Sequence, residues 1–126
     1  MYSEILTYHQ CQGLMATAKH KHKGKPLMNN TRLYEGDGYY AIRLHNNTIM
    51  QIYPEGWRLF DGGWRTRTTK DRLNKYTPVS IYQRNWDWII NNGVDEFPFW
   101  NGVFIDNEKH GMYMTFQDYL KKRGDE

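Results

Sequence analysis

The chain has 126 residues and a net charge of +3, from 17 basic and 14 acidic side chains. That length suits one domain able to bury about two thirds of its unfolded surface, so no structural metal or disulfide framework is required, and the lone Cys11 excludes an intramolecular disulfide. A hydrophobic fraction of 39% and a mean hydropathy of −0.89 would suit a disordered chain, but an aromatic fraction of 16% excludes that reading and predicts a core built on Tyr, Trp and Phe.

Residues 1–8 contain Glu4 but no basic residue or long apolar run, which predicts no signal peptide. No stretch approaches the roughly 18 apolar residues of a membrane span. With a single cysteine, the expectation is a soluble protein of a reducing compartment, the cytoplasm. Residues 2–18 place Ile5, Leu6, Leu14 and Met15 among polar neighbours and read as a short helix or an irregular arm. The run Lys19-His20-Lys21-His22-Lys23-Gly24-Lys25-Pro26 cannot pack in a core and reads as a solvated loop. Residues 1–28 are therefore expected to form an N-terminal arm, 29–90 a β-meander core, and 91–126 an aromatic loop with a C-terminal helix, all within one domain.

In residues 39–45, Tyr40, Ile42 and Leu44 alternate onto one face. Asn46-Asn47 reads as a tight turn, residues 48–53 as a second strand, and Pro54-Glu55-Gly56 as the next turn. Residues 57–60 are a third strand. Asp61-Gly62-Gly63 is expected to supply the positive φ of a hairpin turn into a fourth strand at 64–68. The Thr-rich start at Thr68-Thr69-Lys70-Asp71 predicts a short helix at 69–76, with Leu73 and Tyr76 inward and Pro78 beyond its end. Residues 79–83 and 86–90 form a hairpin across Arg84-Asn85, and Asn91-Asn92-Gly93 is a turn. Residues 97–105, broken by Pro98 and Gly102, read as a loop plus a short strand. Residues 115–122 predict a helix whose basic end suits its dipole. The fold class is α+β: an antiparallel β-meander with one or two short helices. Its expected core is Tyr40, Ile42, Leu44, Ile52, Leu59, Leu73, Ile81 and Trp88.

Three stretches carry a resemblance. These are Tyr40-Ala41-Ile42-Arg43-Leu44-His45, then Gly62-Gly63-Trp64-Arg65-Thr66, then Thr68-Thr69-Lys70-Asp71-Arg72-Leu73-Asn74, preceded by Asn29-Asn30-Thr31. The region 29–76 resembles small proteins carried by bacteriophages, prophages and plasmids. The resemblance implies a phage or mobile-element source and assigns no activity, cofactor or catalytic residue.

Four chemistries are weighed on the residues themselves. Between Arg43 and Lys75 lie seven basic residues (Arg43, Arg58, Arg65, Arg67, Lys70, Arg72, Lys75) against Glu55, Asp61 and Asp71, leaving +4. Trp57, Trp64 and Tyr39 are interleaved with them. Such a strip can hold phosphates while exposed aromatics stack bases; against that, the Trp rings can fill the core with Arg lying over them. A metal site would draw on His20 and His22, or on His9 and Cys11, but neither pair has further ligands at usual spacing. His45, with Arg65 and Arg72, raises a ribonuclease-like site, since such chemistry needs an acid–base group beside a phosphate-binding cation; a strand-end His bonded to a turn is the plainer reading. Phe97, Phe99 and Trp100 offer a protein-binding surface, or a lid folded onto the core.

The reading is a non-catalytic phage or mobile-element accessory protein that contacts nucleic acid through the basic–aromatic strip, with no cofactor or metal. The alternatives are a factor that binds a host or defence protein through Phe97, Phe99 and Trp100, and a small ribonuclease-like enzyme.

Overall fold

The computed structural model describes residues 4–19 and 21–124. The first helix, α1 (Tyr8–Ala16), starts in a capping box: Thr7 Oγ1 accepts the Gln10 N–H while the Gln10 side chain accepts the Thr7 N–H. Its Cys11 and Met15, one turn apart, are buried. A 3-10 turn at Lys21–Lys23 leads into five successive strands: β1 (Lys25–Met28), β2 (Thr31–Glu35), β3 (Tyr40–Leu44), β4 (Asn47–Tyr53) and β5 (Gly56–Leu59). Then come α2 (Arg67–Tyr76), β6 (Ser80–Arg84), β7 (Asp87–Asn91), β8 (Glu96–Pro98), β9 (Val103–Asp106), β10 (Met112–Tyr113) and α3 (Phe116–Gly124).

The strands form two antiparallel sheets, one of seven strands in the order β1-β2-β3-β4-β5-β9-β10 and one of three in the order β6-β7-β8. Pairing aligns Leu33, Ile42, Met50, Leu59 and Val103 in one row across the large sheet, and Tyr40, Ile52, Trp57 and Ile105 in the next. These rows are buried against Cys11 and Met15 of α1, Leu73 and Tyr76 of α2, and Ile81, Trp88 and Ile90 of the small sheet. All eight expected core residues are buried. On the opposite face α3 packs at the β9–β10 end, where Phe104 lies 4.8 Å from Phe116 and 4.9 Å from Tyr119, ring centre to ring centre.

The α+β class and the meander hold, with corrections at their margins. The helices number three among the described residues. The meander stops at Leu59, and residues 64–68 are not a strand. Gly62 and Gly63 both have positive φ, 69° and 90°, and the Asp61 carboxylate accepts the Gly63 N–H at 2.8 Å. This winds the chain out of the sheet. Thr66 Oγ1 then accepts the Thr69 N–H, so α2 begins two residues before the expected 69. The free edge of β5 pairs instead with β9, which comes from the expected aromatic loop. That region contains two strands, β8 and β9. Lys25 and Pro26 belong to β1 rather than to a loop; Pro is tolerated there because β1 is an edge strand. Two hairpin turns sit one residue from their expected places: His45-Asn46 between Leu44 and Asn47, and Asn85-Trp86 between Arg84 and Asp87.

Candidate functional site

The fold divides the expected basic strip. Arg43 and Arg58 lie on the face of the large sheet away from α2, whereas Arg65, Arg67, Lys70, Arg72 and Lys75 belong to the loop and helix stacked on the other face. Arg72 Nε donates to the buried Thr31 Oγ1 at 2.9 Å and pins the β1–β2 turn. Arg65 pairs with Asp61 at 3.3 Å, and its guanidinium sits 5.6 Å from the Trp88 ring centre and 5.7 Å from that of Phe99. Lys75 reaches Glu4 at 3.5 Å. Arg67 is exposed and Lys70 half-buried. Arg58 donates to Gln51 Oε1 at 3.3 Å, and its buried Nε has no partner among the described residues. Of the aromatics, Trp57 is buried and donates Nε1–H to the Leu6 carbonyl, Tyr39 is half-buried against Tyr53, and Trp64 stands 72% exposed.

Positive charge gathers at the other end of the large sheet. Arg32 of β2 and Arg43 of β3 are direct cross-strand partners. Like charges directly opposite are unfavourable unless something neutralises them. The Arg43 guanidinium lies 4.4 Å above the Tyr34 ring, and Arg32 Nη1 donates to the Lys23 carbonyl at 3.3 Å. Two concavities meet at Arg32. One, of about 430 Å³, is lined by Thr17, Lys19, Lys23, Lys25 and Arg32. The other, of about 390 Å³, is lined by Asn30, Arg32, Tyr34, Arg43, His45 and Asn46. Among the described residues lining them there is no Asp or Glu. Sequence reasoning found Arg43 but missed Arg32, Tyr34 and the contribution of Lys19, Lys23 and Lys25. The signal was the Lys-rich run, which reads as plain solvation until β1 places it beside β2.

The remaining candidates are distributed as follows. His45 lines the second concavity beside Arg32 and Arg43, while Arg65 and Arg72 point their charge elsewhere. Phe99 is buried with its ring 5.4 Å from that of Trp88, Trp100 is half-buried and donates Nε1–H to the Met114 carbonyl, and Phe97 is exposed. His20 lies outside the described residues. His9 is exposed on α1 whereas Cys11 is fully buried, and burial pushes the Cys11 thiol up to about 12. Among the described residues no group of three or more His, Cys, Asp or Glu is placed to hold a metal ion. No helix of the described residues is long and apolar enough to cross a membrane.

An antiparallel α+β domain with a basic corner at one edge of its large sheet, lined among the described residues by no Asp or Glu, is the class of protein that fold and site define. The chain belongs to the Kyanoviridae Gp96 protein family, whose model matches residues 7–110, and is thereby a phage-family protein. No curated protein and no solved structure matches it.

Proposed function

We propose that this phage accessory protein binds nucleic acid, and that the contact is made at the Arg32–Arg43 corner rather than along α2. The observation that supports this reading is the direct pairing of two arginines across β2 and β3 in concavities lined by Lys19, Lys23 and Lys25 and by no carboxylate. Phosphates are the ligand that removes this repulsion, and a flat β-surface with an aromatic beneath the guanidinium suits a polynucleotide backbone. Neutralising phosphates releases counterions, so the logarithm of the binding constant should fall linearly with the logarithm of salt concentration. Three or four contacts give a slope of roughly −2 to −3 on single strands. Fluorescence anisotropy with labelled oligonucleotides measures this directly. Arg32→Glu and Arg43→Glu should each weaken binding to all sequences alike, because phosphate contacts carry no base information. Lys75→Glu, on the other side of the sheet, should change little. No binding at micromolar protein in low salt removes the proposal. A protein-binding role would then rest on Phe97, the exposed member of its aromatic segment, and would be read by loss of a host partner on Phe97→Ala.

A further inference from the structure

We infer that the nucleic acid bound is single-stranded, and that Trp64 stacks one of its unpaired bases; this rests on the reading above. A third concavity, of about 340 Å³, adjoins the basic corner and shares His45 with it. Its walls are Trp64, Thr66, Thr68 and Asn47, over a floor that includes Ile49. The hollows are linked in pairs, by Arg32 and then by His45, and the track they make rounds the β3–β4 turn from the outer face of the sheet to the side that carries α2: lysines first, then the paired arginines, then a pocket walled by an indole.

Trp64 is 72% exposed, unlike the nearby Trp57, which is 3% exposed. The loop that carries it is held from both sides. Gly62 and Gly63 turn the chain with positive φ, the Trp64 N–H donates to the Asp61 carbonyl at 3.2 Å, and Arg65 is anchored to Asp61 and to the Phe99 carbonyl. A large ring on a fixed base, presented to water beside a pocket floored by Ile49, is a stacking platform that needs little ordering on binding.

The division of charge sets which part of the ligand goes where. The track is cationic up to His45, but the Trp64 pocket is lined by no Lys or Arg among the described residues, and its one acidic residue, Asp61, is already paired with Arg65. Phosphates belong in the first part and an uncharged base in the second, with Asn47 and the Thr68 hydroxyl available to its edge. In a duplex the bases are already stacked and paired, so only an unpaired base can enter.

The test uses the full chain, with labelled single-stranded DNA, single-stranded RNA and duplex DNA of one sequence. Trp64→Ala should weaken single-strand binding by about 5- to 150-fold, the range set by loss of one base stack, and leave duplex binding unchanged. Trp64→Phe should retain most of the affinity. Arg32→Glu should weaken single strands and duplex together. The DNA and RNA arms tell which sugar the track accepts, and either supports the inference. Unchanged circular dichroism in Trp64→Ala confirms folding. If Trp64→Ala leaves single-strand binding intact while Arg32→Glu abolishes it, the stacking inference falls and the phosphate reading stands. If Trp64→Ala is damaging and Arg32→Glu harmless, the phosphate contacts are misplaced and the stacking site survives. Tighter binding of duplex than of single strand overturns the inference.

Discussion

Ile42 sits at the centre of the large sheet with none of its surface exposed, paired to Leu33 on one side and Met50 on the other. Ile42→Ala should therefore cost on the order of 2–5 kcal/mol, from lost transfer energy and the cavity left behind. Chemical denaturation measures it, and a loss below about half a kcal/mol would mean that its surroundings collapse to fill the gap. The apolar alternation of β3 made this residue legible from sequence. The arginines were harder. Arg65 and Arg72 look like Arg43 on the page, yet one lies between rings and a carboxylate and the other pins a turn. Their partners Phe99 and Thr31 are far away in sequence, so no local pattern separates a tethered arginine from one facing solvent.

Strand and turn positions were legible to within a residue, and the slips have one cause each. Asn46-Asn47 suggests a turn by composition, but Leu44 pairs with Asn47, which forces His45 and Asn46 into the two left-handed positions. A bulge in the same hairpin, where Ile42 faces Met50 but Arg43 faces Thr48, makes Ile49 the extra residue and lets Ile49 and Met50 both be buried. The β6–β7 turn is stranger, because Trp86 occupies a left-handed position with φ 73° while 88% exposed. Glycine suits that position and Trp does not. Trp86→Gly should raise stability by up to about 1 kcal/mol, since the relief of strain outweighs the added freedom of the unfolded chain. Urea unfolding reads the change; a destabilised variant would show that the Trp86 ring holds the hairpin by contacts that outweigh its strain.

Across the whole molecule, what sequence could not show was long-range assembly. The basic corner takes Lys19 from beyond α1, Lys23 from the 3-10 turn, Lys25 from β1, Arg32 from β2 and Arg43 from β3, and only the finished sheet brings them together. The interior has its own pH signature. Cys11 is raised by burial from its ordinary 9.0 to about 12, and burial also raises Tyr40, Tyr53 and Tyr76. Below pH 9 the thiol is protonated in both states and folding is unaffected. Between about pH 9 and 12 the unfolded thiol ionises first, the unfolded state binds fewer protons, and stability falls. The limiting loss from this one group is roughly 4 kcal/mol. Denaturation midpoints taken from pH 8 upward should show an alkaline decline that Cys11→Ala makes shallower; an identical decline in both proteins would assign it to the tyrosines alone.

The pairing of β5 with β9 also has a consequence in time. A ribosome delivers α1 and the first five strands before any of the small sheet, and β9 about forty residues after β5, a gap of roughly 2–9 s at ordinary translation rates. Throughout that interval the backbone donors and acceptors of Gly56–Leu59 that face away from β4 have no strand to meet, and a nascent neighbour on the same message presents an identical edge. That edge is only four residues long, and a short edge gives such a neighbour few backbone groups to pair with.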